Sequence, residues 1–446
     1  MKRYAWLCGI MWLLLGVTAC QQAAAPTPQV IRETVEVTRE VEKVVTKEVV
    51  VTKEVEKPGT RTLVMTSALF SPPREQEFFI NEILKPWEQE NDVTVIFQVL
   101  DNKTQADRAR VQQATGRITT DVVVIHSGSM AEWLENGWVE DLTDVTAQWD
   151  DRTFMPAFNE AMTMDGRQYF LPLSADVYLL LANNKALASL PDGVDLDALT
   201  WEQYAQWAVN IAQNEGEGKL CVNGVPGKFW IYQFGGSALS YGAGFPDANS
   251  PEAMQAWKVW ETVGKGNGFV PTVLNIDNCV DPMQREEAWL VVTHQARVGQ
   301  VYSTAEAQFA VGPAPKGPSG IGTIAGAHGI GIMKGSPNTE LAVQFLEYLT
   351  RPEVMVKINK GTGGFIPPVK EALNYLGEDP TDIIITKALS VLDQAVVSGV
   401  PAGDYQDWGA VKTCFDDALA DTLVVGADFT QERADQVQAC VEALQK

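Results

Sequence analysis

The sequence predicts an α/β fold divided between two lobes, and three observations carry that expectation. From Thr60 onward, short β-branched or wholly apolar runs alternate with segments of helical period. At 446 residues and 46% hydrophobic content, the chain can fill two cores. Between them lies Asp165–Lys185: a Gly-containing turn, the run Phe170-Leu171, a Pro, and a second apolar run ending Asn183-Asn184-Lys185. Pro172 fixes its own φ and biases Leu171 toward extended backbone. The two strand-like pieces therefore meet at a stiff corner carrying Ser174 and Asp176. A carboxylate between apolar strands needs water or a partner, so Asp176 is expected to face a gap between lobes.

The elements follow in order. Residues 61–65 read as a strand ending at Thr66-Ser67. Residues 75–90 place Phe78, Phe79, Ile83, Leu84 and Trp87 at helical spacing. Residues 93–100 read as a strand, 103–114 as a polar-faced helix, and 121–125 as a continuous apolar strand. His126-Ser127-Gly128-Ser129 then leads into a helix through Trp133 and Leu134. This alternation implies right-handed βαβ units and a parallel sheet covered on both faces. Ligands of such sheets bind beyond the carboxyl ends of the strands, where Ser67, His126 and Ser127 fall. Further on, Thr200-Trp201-Glu202-Gln203 and Thr350–Glu353 read as capping boxes. Ser250-Pro251 opens another helix. Residues 289–292 and 308–311 are strand-like, and the Pro/Gly-rich 312–320 is expected to carry the chain back between lobes. His328 lies in a tight turn before a strand at 330–333, and a last helix runs from about 431 to 444.

The N-terminus has its own logic. Lys2 and Arg3 precede an apolar run from Ala5 to Val17, followed by Val17-Thr18-Ala19-Cys20. Charge, length and small residues before a cysteine match a signal peptide over 1–19, with Cys20 as the lipidated mature terminus. Residues 20–59 repeat a Val-Thr-Lys-Glu-Val unit. They read as a solvated tether spanning about 35 Å as a coil, or as a helical stripe of valines. Such a protein would sit outside the cytoplasm, held to the membrane by its lipid. The formal charge of −23 argues against nucleic acid, which needs clustered Lys and Arg.

Cys8 belongs to the signal and Cys20 to the lipid site, leaving Cys221, Cys279, Cys414 and Cys440. In an exported chain, these read as two disulfides. Of three pairings, Cys221–Cys279 and Cys414–Cys440 each join one contiguous region. A cysteine metal site lacks CxxC spacing. The three histidines are His126, His294 and His328. Two of them, with Asp176, have the donor types of a zinc site, yet a single His at a strand end more often serves as a hydrogen-bonding group. No metal or other cofactor is assigned. Nucleophile elbow, HExxH and P-loop are absent from the sequence, and no evident close carboxylate pair points to catalysis.

In order, residues 121–124 with Trp138–Leu142, 171–184, 311–318, 326–333, 339–349 and Thr350–Glu353 resemble the ABC-transporter extracellular solute-binding lipoproteins of the family that includes maltose-binding protein. The resemblance implies a periplasmic-binding-protein fold with discontinuous lobes, 60–172 plus 316–375 and 173–315 plus 376–446. It further implies hinge closure on a small-molecule solute, a monomeric body, and delivery to the transmembrane subunits of a permease. It places the family's cleft carboxylate at Asp176 and its stacking Trp at Trp408, with a basic residue, Lys412, one turn later. Gly409 stands where the family carries a second aromatic, so maltodextrin itself is not the expected ligand.

The chain's 13 Trp speak for a sugar, whose apolar ring face suits an aromatic plane. Trp230, Tyr241, Tyr302, Phe365 and Trp408 are the candidate planes. Asp176, His126, His328, Ser67 and Ser127 are the candidate hydrogen-bonding groups. A polyamine, which carboxylate and aromatics also suit, and an exported glycosidase-like enzyme are the alternatives.

Overall fold

The structure, a computed structural model, describes residues 61–446 apart from 160, 161 and 325. The signal, lipid-site and tether expectations lie outside the described residues.

Twelve strands form the framework: β1 (Arg61–Ser67), β2 (Val93–Val99), β3 (Val122–His126), β4 (Thr163–Met164), β5 (Arg167–Gln168), β6 (Leu171–Ala175), β7 (Tyr178–Asn183), β8 (Leu290–His294), β9 (Phe309–Pro313), β10 (Ile321–Ile324), β11 (Ala327–Ile332) and β12 (Ala395–Ser398). The first sheet has the order β2-β1-β3-β11-β6 and the second β8-β7-β9. β4 pairs with β5, and β10 with β12. β1, β2 and β3 are parallel, as the alternation implied. The rest corrects that expectation: β11 runs antiparallel to β3 and β6, and β7 antiparallel to β8 and β9. The reason is topological. β3, β6, β8 and β9 end at the seam between the sheets, whereas β7 and β11 begin there and must run the other way.

Side-chain alternation sorts the cores. Leu63, Met65, Val122, Val124, Leu171, Leu173, Ile330 and Ile332 face one layer with Phe79, Trp87 and Phe345. Val123 and Ile125 face the other, with Trp133 and Phe170. All six residues of β7 are buried, as a strand covered on both faces requires.

The helix expected over 75–90 is three joined pieces, Pro73–Phe78, a π segment Phe79–Leu84, and Lys85–Asn91. Thr200 and Gln203 make the capping box read from sequence, and Ser250 caps the helix Pro251–Lys265. The box at Thr350–Glu353 does not form. Thr350 donates its hydroxyl back to Leu346 O at 2.8 Å, and Pro352 sets the next helix start at Pro352–Gly361.

The return passage is also displaced. Residues 314–320 stay beside the second sheet, where Lys316 N donates to Leu199 O. β10 lies on the helix Trp230–Tyr241 so closely that a Cβ on Gly322 would stand 2.0 Å from Gly236 O. Only at Ala327 does the chain rejoin the first sheet. Disulfides join Cys221 to Cys279 and Cys414 to Cys440. No helix of the described residues is long and apolar enough to cross a membrane.

Candidate functional site

The chain passes between the sheets at Asp176-Val177, and Gln295 bolts that passage in place. Its backbone N–H donates to Asp176 Oδ1 at 3.0 Å and to Val177 O at 2.8 Å. Its side-chain oxygen accepts from Val177 N at 3.2 Å, while its Nε2 donates to Gly364 O at 2.6 Å. Asp176 N donates to Gly326 O at 2.9 Å. Residues 176–177 and 364 thus converge on one fully buried glutamine, and Gly326 on the aspartate beside it.

Asp176 is 5% exposed and both its oxygens are engaged. Besides accepting from Gln295 N, at the start of the helix Gln295–Tyr302, it holds His294 Nδ1 at 3.0 Å with Oδ2. The helix N-terminus favours the negative charge there. His294 ends β8 and is the group this carboxylate presents. With Nδ1 facing Asp176, Nε2 is the free ring nitrogen.

Around His294 runs a row of rings. Its centroid lies 4.8 Å from Tyr178, 6.2 Å from Phe229 and 6.4 Å from Tyr232. Tyr232 lies 6.2 Å from Phe245, Phe245 6.0 Å from Trp408, and Trp408 5.3 Å from Tyr405. Trp408 Nε1 donates to the Tyr232 hydroxyl at 2.8 Å, fixing both rings. Tyr178 sits two residues after Asp176, and its buried hydroxyl has no hydrogen-bond partner among the described residues. Lys412 Nζ stands 5.5 Å from the Tyr232 ring and 5.7 Å from Phe229. Burial holds its pKa below the usual lysine value.

The first sheet contributes His126 and His328, cross-strand partners in β3 and β11. Their rings meet edge to face at 5.2 Å, and Phe365 lies 6.4 Å from His328. His126 Nδ1 accepts from Gly128 N at 3.1 Å, and His328 Nδ1 lies 3.2 Å from Ser174 Oγ. Burial, then the neighbouring imidazole charge, pushes their pKa values down to about 4 and about 3. His294 is that neighbour for His126. All three histidines therefore gather at the seam. Two residues after His126, Gly128 abuts Val400, whose carbonyl oxygen would be 2.9 Å from a Cβ there.

Of the residues singled out from sequence, Asp176, His126, His328, Phe365 and Trp408 lie at this seam. Ser127 lies beside it, its Oγ accepting from Ala327 N at 3.4 Å. Ser67 is fully buried and turns its hydroxyl onto Leu69. Trp230 is core, with no exposed surface and Nε1 donating to Phe415 O at 3.1 Å. Tyr241 ends the helix Trp230–Tyr241, away from Phe229, and donates to Glu202 at 2.5 Å. Tyr302 ends the helix whose other end touches Asp176 and packs on the core. His294, Tyr178, Phe229, Tyr232, Phe245, Tyr405 and Gln295 were not anticipated. One signal was available: His294 closes an apolar strand just as His126 does. Among the described residues, no group of three or more His, Cys, Asp or Glu is arranged to hold a metal ion.

A family model for bacterial extracellular solute-binding proteins matches residues 82–387. The chain belongs to that family. Membership places this solute-binding protein outside the cytoplasm. A putative binding protein of Brucella abortus (strain 2308) is 21% identical over 305 residues, covering 66% of this chain and 73% of that one. The maltose-bound MalE3 of T. maritima superposes with TM-score 0.68 at 20% identity, over 86% of this solute-binding protein and 100% of that chain. UgpB from Mycobacterium tuberculosis, in complex with glycerophosphocholine, gives TM-score 0.67 at 16% identity, over 87% and 98%. At these identities the likeness is one of fold, the two-domain α/β fold of periplasmic sugar-binding proteins.

Proposed function

We propose that this solute-binding protein is the lipid-anchored capture component of an ABC importer, closing its lobes on a sugar or oligosaccharide and delivering it to the permease. The observation that carries the reading is the row of rings from Tyr178 to Tyr405 with His294 at one end. Aromatic planes suit the apolar face of a pyranose, and the free His294 Nε2 and Tyr178 hydroxyl suit its hydroxyls. Solved structures of the same fold carry maltose, acarbose and α-D-tagatose. Asp176 acts here by positioning His294 and the passage between sheets. On this reading the lobes are 60–175 plus roughly 325–375, and 178–324 plus 376–446, hinged at Asp176-Val177. Cys20 carries the anchor.

The polyamine alternative loses support, because both Asp176 oxygens are engaged and Lys412 stands beside the rings. A retaining or inverting glycosidase needs two carboxylates across the sugar. Asp176 is committed to Gln295 and His294 and is not available as one of them.

A thermal-shift series on the mature protein with neutral sugars, oligosaccharides and polyamines tests the reading. A bound solute at 100 times its Kd stabilises by about 2.7 kcal/mol. Stabilisation by a sugar without product formation supports it. Stabilisation by polyamines alone, or consumption of the sugar, overturns it.

A further inference from the structure

We propose that the solute bears a negative group, a carboxylate or phosphate, which Lys412 receives beside Phe229 and Tyr232. The inference rests on the carbohydrate reading of this site and narrows it to acidic sugars. Four described lysines are half-buried: Lys219, Lys360, Lys387 and Lys412. Lys219 pairs with Glu217, Lys360 with Asp379 and Asp382, and Lys387 with Asp197. Lys412 alone among them has no carboxylate within 4.0 Å. Asp416, one turn on, acts on it electrostatically from beyond that distance; its Oδ2 accepts from Gly227 N, and its buried Oδ1 has no hydrogen-bond partner among the described residues.

A half-desolvated ammonium without a counter-ion is an unfavourable arrangement, which an incoming anion relieves. The remaining inventory agrees. Asp176 has both oxygens turned to His294 and Gln295 rather than toward Lys412. The Tyr178 hydroxyl is a second unpaired, fully buried donor, beside the same His294 that Phe229 and Tyr232 flank. The contrast with the whole molecule sharpens the point. A chain of net charge −23 does not attract anions at long range, and salt screens such fields beyond about 10 Å. An anion would be held by local contacts at the half-buried Lys412. The aromatic faces that hold Lys412 also fix where that charge sits, which a lysine free in solvent would not do.

The test compares glucose, glucuronate and glucose 6-phosphate by calorimetry on the mature protein, with Lys412→Gln and Lys412→Arg variants. The expected result is a Kd at least tenfold lower for an acidic sugar than for glucose, weakening with salt. Lys412→Gln removes that difference and Lys412→Arg keeps it, while melting no lower than that of the wild type in the absence of solute shows that both variants are folded. The tighter of the two acidic sugars tells carboxylate from phosphate. Glucose bound as tightly as its acidic forms, or wild-type affinity for them in Lys412→Gln, overturns the inference and leaves the sugar reading standing. Binding of none of the three, nor of any neutral oligosaccharide, overturns both.

Discussion

Asp176 Oδ2 holds His294 Nδ1 at 3.0 Å across 118 positions of sequence, joining the passage between the sheets to the last residue of β8. The same carboxylate caps the helix that begins at Gln295. One side chain thereby sets both the orientation of the imidazole and the geometry of the hinge.

Asp176→Asn removes the charge while keeping the shape. A hydrogen bond to a charged group contributes about 1.5–3 kcal/mol, so solute affinity should fall by roughly ten- to a hundredfold. His294→Gln should fall as far, and the double variant should fall little further, because the two residues act as one unit. Calorimetry on the four proteins checks this; additive losses would refute it.

Folding stability should weaken in acid. His126 and His328 are held neutral by burial, with pKa values of about 4 and about 3 against an ordinary 6.5. Their folded values are depressed, so above 6.5 folded and unfolded chains bind equal protons at these sites. Below 6.5 the unfolded chain gains protons the folded one refuses. Stability should therefore fall by about 1.4 kcal/mol per pH unit for each histidine between 6.5 and 4. Denaturant titrations of the wild type and a His126→Gln/His328→Gln variant at pH 7 and 5 test it. The variant should show the shallower loss.

Gly322→Ala should destabilise by about 1–3 kcal/mol, through overpacking of β10 against the helix Trp230–Tyr241. The added Cβ would stand 2.0 Å from Gly236 O and 2.6 Å from Ser240 N, both backbone atoms with little room to shift. Urea midpoints measure it.

Reduction of the disulfides should cost folding free energy that rises with the logarithm of loop length. With separations of 58 and 26 residues, the chain-entropy model gives about 4.2 and about 3.5 kcal/mol. Melting of Cys221→Ser/Cys279→Ser and Cys414→Ser/Cys440→Ser variants should rank them in that order.

Much of the framework was legible, because β3, β6 and β7 are almost wholly buried and β1 and β2 are rich in apolar, largely β-branched residues, so all five announce themselves by composition alone. Strand direction beyond β3 was not, since it depends on which end of each strand meets the seam. Asp176 was legible because an acidic residue between two apolar runs demands an explanation. Its partner was not, because a contact across more than a hundred residues leaves no local mark. Trp230 and Tyr232 show the remaining limit. Two residues apart at the start of one helix, they face different surroundings, and only packing reveals that Trp230 meets Phe415 while Tyr232 meets Trp408. Composition shows how many aromatics there are, but not which of them line the site.

Gln295 fastens three strands of traffic with one amide: the outgoing peptide at Val177, the incoming helix, and the Gly364 carbonyl of a third stretch. Mechanically, that makes it a pin rather than a contact. A partner that pries the lobes apart would apply its torque to this pin first, and the imidazole on the adjoining residue would swing with it. Loosening of the grip on the cargo and opening of the jaw are then one movement, with no separate release catch.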